Sequence, residues 1–184
     1  MESDKVLRLI AGVLSRARPE SAATAFAGEI AALMGADEAS VGFDDNGRAV
    51  VAAMSRTEDF QPESEFVQSL AAAMDEAIVQ QRSVVFPPVA EDVQVTRAHA
   101  ALARHGDGAV FSVPMASDGE VFGAVTLMTN ASQPLSKESI EVCEHVVSLA
   151  GPILLLKREA IRPWYRRLGH SLRSAPGRLL SSGN

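Results

Sequence analysis

The run Ala109-Val110-Phe111-Ser112-Val113-Pro114-Met115, the turn Ser117-Asp118-Gly119 and the run Val121-Phe122-Gly123-Ala124-Val125-Thr126-Leu127-Met128-Thr129 decide the fold. Two apolar runs of strand length joined by a tight turn read as a β-hairpin. Upstream, Ser83–Phe86 reads as a further strand ended by Pro87-Pro88, followed by a short helix over 94–104 closed by Gly106-Asp107-Gly108. Further upstream, Ala39–Phe43 and Ala49–Met54 flank Asp44-Asp45-Asn46-Gly47. Asn-Gly between two apolar runs is a strong hairpin signal. Adjacent antiparallel strands mixed with helices argue an α+β fold rather than a doubly wound parallel sheet.

Four longer helices complete the order. Residues 4–16 place Val6, Leu9, Ile10, Val13 and Leu14 on one helical face. Pro19 opens a second helix with Phe26, Ile30, Leu33 and Met34 inward and Gly35 as its stop. Residues 63–81 turn Val67, Leu70, Met74 and Ile78 inward. The last helix starts at a Ser136 cap and repeats Ile140, Cys143, Val147, Ala150 and Leu154 at three- and four-residue steps. The helices over 4–16 and 136–157 are expected on the same side of the sheet, where terminal helices commonly pair across a two-fold axis. A homodimer is the expectation, with a monomer folded on itself as the competing account.

The 184 residues are 47% hydrophobic and 22% charged, proportions that give one soluble domain with extensions a real core. One cysteine excludes an intrachain disulfide and a multi-thiolate metal cage. The acidic start, Met1-Glu2-Ser3-Asp4-Lys5, is not a targeting segment. The longest apolar run, Val146–Leu156, has the length of a buried helix rather than a membrane span. Residues 157–184 carry seven basic side chains against one acid, a charge of +6 that leaves −12 on residues 1–156 of a chain whose total is −6. An acidic body repels nucleic acid, which is not expected as a partner.

The hairpin resembles that of a GAF domain, in which an apolar strand ends in proline plus a large apolar residue and a glycine follows early in the next strand. Val113-Pro114-Met115 and Gly123 match that layout, over roughly residues 20–156. The resemblance implies a GAF/PAS-like central antiparallel sheet of five or six strands with helices on both faces. It divides the chain into an N-terminal helix at 1–18, a GAF domain at 19–157 and a basic tail at 158–184. Arg97-Ala-His-Ala-Ala-Leu-Ala-Arg-His-Gly-Asp-Gly-Ala-Val110 and Ala150-Gly-Pro-Ile-Leu-Leu-Leu-Lys157 are further similar to GAF domains fused to periplasmic adaptor (membrane-fusion) proteins of efflux or secretion systems. That likeness implies the cytoplasmic head of a membrane-anchored transport adaptor. Arg162, Trp164, Tyr165, Arg166 and Arg167 suit the same place, because interfacial aromatics and arginines meet where a chain reaches an anionic cytoplasmic headgroup layer. A solvated basic tail is the competing account.

The family's ordinary pocket would be lined by the Ser83–Phe86 strand, the 94–104 helix and the facing hairpin. Phe86, Arg97, Phe111 and Thr129 are the candidates, with Arg97 pairing an anionic group of a small-molecule ligand and the two phenylalanines walling it. A filled core, with methionines occupying irregular space, is the alternative. Catalysis, metal binding and a cofactor are not expected. Cys143 and His145 point about 200° apart on one helix, and methionine sulfoxide reduction passes through a disulfide that one cysteine cannot form. Bilin attachment needs an exposed thiol, whereas Cys143 sits on the apolar seam. The Asn-Lys…Phe…Asp-Glu signature of cyclic-nucleotide binders is not found. His99 and His105, six apart, are expected at the surface or in caps rather than on a metal. The resulting expectation is a non-catalytic sensory or regulatory domain coupling ligand or partner binding to its C-terminal helix, with a ligand-free dimerisation or assembly module as the alternative.

Overall fold

The computed structural model of the chain describes residues 2–57, 59–88, 94–130 and 135–161. Both expected hairpins form. Strands β1 (Glu38–Asp44) and β2 (Ala49–Met54) are joined through Asn46 and Gly47, at φ 58° and 83°. Strands β4 (Val110–Ser117) and β5 (Glu120–Met128) turn at Asp118 and Gly119, at φ 52° and 82°. Two successive left-handed residues make the mirror-image turn whose twist matches that of the strands, which is why Asn-Gly and Asp-Gly occupy these corners. Strand β3 (Val84–Phe86) adds to the free side of β4. The result is a five-stranded, wholly antiparallel sheet in the order β2-β1-β5-β4-β3.

Gly123 has a packing reason. It pairs with Phe43 across β1–β5, and a Cβ there would run into the Gly42 carbonyl oxygen. The glycine of the hairpin pattern therefore sets how closely the two central strands approach.

The helices are α1 (Glu2–Ser15), α2 (Pro19–Met34), α3 (Glu65–Gln80), α4 (Arg97–Leu102) and α5 (Lys137–Ile161). Gly35, at φ 64°, ends α2, and the Ser64 side chain caps α3 by accepting from the Val67 N–H. Ser136 Oγ accepts from the Ser139 N–H at the start of α5. Nearby, the Glu138 carboxyl is held below its ordinary range by a backbone N–H and by the Ser136 hydroxyl. Helix α4 starts later than the expected residue 94. Gln80 explains the delay, because its side chain donates to the Val95 carbonyl at 2.8 Å and accepts from the Val95 N–H at 3.1 Å. A residue tied at both backbone groups to another helix cannot join a helical ladder of its own.

Helices cover both faces of the sheet. Helices α2 and α5 pack on one face over Val41, Phe43, Phe111, Val113, Met115, Val125 and Leu127, with α1 against both helices. Helices α3 and α4 cover the other face. Burial of these side chains, about 1.5–3 kcal/mol for each large one, is the main term holding the layers together. The terminal helices α1 and α5 do lie on the same side. The inward stripe of α1 is Val6, Leu9, Ile10 and Val13, while Leu14, expected on it, is exposed. By length and composition α5 would cross a bilayer. Its Cys143, Val146, Val147, Ala150 and Leu154 are nevertheless buried against the rest of the fold, which makes it a core helix here. Arg162, Trp164, Tyr165, Arg166 and Arg167 lie outside the described residues.

Candidate functional site

Alternation along the strands sends Ser112 of β4 and Thr126 of β5 to the face covered by α3 and α4. They are direct cross-strand partners, and their hydroxyl oxygens are 2.7 Å apart. His99, on α4, places Nε2 2.8 Å from Ser112 Oγ and Nδ1 2.6 Å from Glu76 Oε2 on α3. Glu76 also accepts from the Ala98 N–H at 3.0 Å and the His99 N–H at 3.1 Å. The four side chains form a continuous polar relay between the α3–α4 layer and the sheet, inside an apolar core. His99, Ser112 and Thr126 are each 0% exposed, and the Glu76 side chain is 9% exposed.

Chemistry fixes the direction of this relay. The Glu76 carboxylate can only accept, so His99 Nδ1 carries the hydrogen. Burial pushes the imidazole below its usual range, against the opposing pull of Glu76. The 2.6 Å contact is therefore a neutral N–H donating to a carboxylate rather than an ion pair. A neutral ring leaves Nε2 bare to accept from the Ser112 hydroxyl. Ser112, its hydrogen committed, accepts from Thr126. Each polar side chain of the relay thus has its partner, as a dry interior demands.

Around the relay, Met54, Met74, Met128, Leu70 and Leu102 fill the face. Gly42 on β1 admits Met74, whose sulfur lies where a Cβ would stand. Of the three methionines, Met128 at the end of β5 borders the region between β3, α4 and the β4–β5 hairpin where the resemblance places a ligand, while Met54 and Met74 fill the same face over β2 and β1.

The four candidate lining residues do not converge. Phe86, at the end of β3 opposite Val110, is half-buried on the relay's face. Arg97 is exposed at the start of α4. Phe111 corrects the expectation: it points the other way, into the core under α2 and α5, because it is one residue out of phase with Val110 and Ser112. Thr129 follows β5, its N–H donating to the Ala109 carbonyl at 2.9 Å. Its buried Oγ1 has no hydrogen-bond partner among the described residues.

His99 is a second correction. It belongs to the core and not to the surface. His105 is exposed, edge-on to Phe66 and 3.5 Å from Ser69 Oγ. Glu76, Ser112 and Thr126 were missed altogether. The signal available was a lone hydroxyl in the middle of each apolar run, Phe111-Ser112-Val113 and Val125-Thr126-Leu127. A polar side chain buried there requires a partner. Cys143 sits on the opposite face of the sheet from the relay, fully buried, with its thiol pushed up by burial to about 12. His145 is exposed and bonded to the Glu141 carbonyl of its own helix at 2.7 Å.

A family model described as GAF domain matches residues 17–154. Among curated proteins, none matches the chain. The fold is similar to that of a bacteriophytochrome from the photosynthetic bacterium R. palustris, at 17% identity and TM-score 0.64, over 95% of this chain and 43% of that one. It is also similar to the GAF domain of an Acinetobacter phosphoenolpyruvate-protein phosphotransferase, at 12% identity and TM-score 0.63, over 87% of this chain and 96% of that one. A third similar structure is the free methionine-R-sulfoxide reductase of Neisseria meningitidis, with its substrate bound, at 11% identity and TM-score 0.63, over 88% and 92% of the two chains. The chain spans less than half the length of the bacteriophytochrome.

Proposed function

The chain belongs to the GAF domain family, whose members are typically sensory or regulatory, and we propose that it is a non-catalytic regulatory domain with α5 as its output element. Two consecutive residues near the end of α5 carry this reading. Lys157 Nζ donates to the Leu14 and Arg16 carbonyls at 3.2 Å and 2.6 Å, gripping the end of α1. Arg158 stacks its guanidinium 4.6 Å from the centre of the Phe43 ring and donates from Nη1 to the Asp44 carbonyl at 3.4 Å. A shift of the β1–β2 hairpin or of α1 is therefore felt directly by the last turns of α5. The burial of Cys143 and of Ser112 supports the non-catalytic part, since neither nucleophile meets solvent.

On this reading the domain is the cytoplasmic head of a membrane-anchored transport adaptor, with residues 162–167 against the anionic inner face. Support comes from the sequence likeness and from the tail charge of +6 on residues 157–184. It works as a homodimer through α1 and α5, whose Leu7, Leu14, Leu149 and Leu156 are 68%, 55%, 57% and 67% exposed. The seven-residue spacing within each pair is that of a helical seam.

Occupation of the α3 face by methionines and the relay favours a second reading, a ligand-free assembly module. One experiment separates the two: thermal shift against a metabolite panel, with spin-label distances between α5 and the β1–β2 hairpin. A ligand at 100 times its Kd adds about 2.7 kcal/mol. Stabilisation with a changed α5 distance supports the regulatory reading, with Phe86 and Arg97 at the rim of the site. A flat panel with an unchanging distance supports the assembly module. Cosedimentation with anionic vesicles, lost on neutral ones, tests the membrane placement.

A further inference from the structure

We propose that the Glu76–His99–Ser112–Thr126 relay is a proton-operated latch that holds α4 on the sheet and releases it on mild acidification. The inference goes beyond the regulatory reading, because the latch can open whether or not α5 transmits anything.

The argument is one of hydrogen-bond direction. In the closed form His99 is a donor toward α3 and an acceptor toward the sheet. A proton added at Nε2 makes the ring a donor on both sides. The Nδ1 link to Glu76 survives and gains an opposite charge. The Ser112 link does not survive unchanged: Ser112 Oγ must turn its hydrogen toward Thr126, and the Thr126 hydroxyl hydrogen then needs a new acceptor. Among the described residues, Ser112 is the only partner of that hydroxyl. The cross-strand partner of Thr126 on β1 is the buried Ser40, whose hydroxyl donates to the Thr126 carbonyl at 3.4 Å and is not bonded to the Thr126 hydroxyl. Reversal of the relay thus costs the Thr126 donor a rearrangement of the sheet face, so the charged ring is better served by water than by β4. Helix α4 would part from the sheet and stay on α3, where Glu76 keeps the Ala98 and His99 N–H groups as well.

The charged surroundings are simple. From α3 the ring meets the Glu76 carboxylate, while the neighbouring Asp75 is engaged by the Ala49 N–H. From β4 and β5 it meets the neutral Ser112 and Thr126, and β3 carries no titratable residue. On α4 and the turn after it, Arg97, Arg104 and His105 are exposed to solvent. Burial of the imidazole holds its proton affinity down, which keeps the latch closed at neutral pH.

The test uses the whole chain. Imidazole nitrogen NMR follows His99 from pH 8 to pH 5, and hydrogen exchange, corrected for intrinsic rates, follows the backbone over the same range. The expected result is a neutral Nδ1–H ring at pH 8 that becomes an imidazolium on acidification. Protection over 97–105 and β3 should fall at least tenfold at the same pH, while α1, α2 and α5 keep theirs. S112A removes the demand for an acceptor and should move both transitions to higher pH, and H99Q should abolish the loss of protection. A ring that stays neutral, a ring that titrates without change in α4, or simultaneous loss of protection in α5 overturns the proposal. If H99Q does not fold, the S112A shift alone decides.

Discussion

The Arg158 guanidinium lies over the Phe43 ring at 4.6 Å from its centre, joining the end of α5 to strand β1 of the β1–β2 hairpin. Phe43 in turn stacks on Phe122 of β5, with centroids 6.5 Å apart and the planes at 20°. A cation over an aromatic face contributes about 0.5–1 kcal/mol at a partly exposed site. R158A is expected to lose that and the bond to the Asp44 carbonyl, about 1–2 kcal/mol together. R158K should recover only part, because an ammonium does not stack as a plane. Urea denaturation of the three proteins checks the order.

The relay makes a graded prediction. S112A strands His99 Nε2 and the Thr126 hydroxyl, at a cost of about 1–3 kcal/mol. H99L removes the ring N–H from the Glu76 carboxylate, which keeps its two backbone donors, and losing a buried hydrogen bond to a charged group costs about 1.5–3 kcal/mol, to which the stranded Ser112 hydroxyl adds. The double variant S112A/T126V should be less destabilised than the sum of its single changes, since the second change removes a donor that the first left unpaired. Additive effects in the double-mutant cycle would contradict the hydrogen-bond order given for the relay.

Acid should weaken the fold through His99. The folded ring binds its proton less readily than the unfolded one, whose ordinary value is 6.5. The unfolded state therefore takes up more protons as the pH falls. The contribution is fully present above pH 6.5 and is progressively lost below it. Unfolding free energy measured between pH 7.5 and 5.5 should fall more steeply in the natural chain than in H99Q.

Cys143 should be chemically silent in the folded state. A thiol at about 12 is thiolate in only ~1 molecule in 10,000 at pH 8, and this one is also fully buried. Iodoacetamide should label it only as the chain unfolds, with the labelling midpoint in urea tracking the circular dichroism midpoint. Fast labelling without denaturant would move Cys143 out of the core and reopen a reactive role.

The exposed leucines give the last prediction. L149E combined with L156E should leave the monomer's fold intact, because both side chains face outward. In sedimentation equilibrium the natural chain is expected to dimerise and the variant to remain monomeric. A natural chain that stays monomeric at the highest concentration tested would remove the homodimer from the proposed function.

Much of this protein is local and was legible in the residues themselves. Asn46-Gly47 and Asp118-Gly119 demand left-handed turns, Gly35 ends a helix, and the spacing of Cys143, Val147, Ala150 and Leu154 sets the inner face of α5. Each of these depends on backbone dihedrals or on a period of a few residues, so neighbours in sequence suffice. The candidate site is different. Glu76, His99, Ser112 and Thr126 come from four elements, and nothing in a short window states that a histidine among alanines will meet a serine 13 residues away and a glutamate 23 residues before it. Strand alternation could have marked Ser112 and Phe111 as opposite-facing, yet only the packing of α3 and α4 on one face and α2 and α5 on the other says which direction leads to the relay. Local chemistry determined the elements and their order; the long-range burial of polar groups, which must find partners wherever the fold brings them, determined where the site lies.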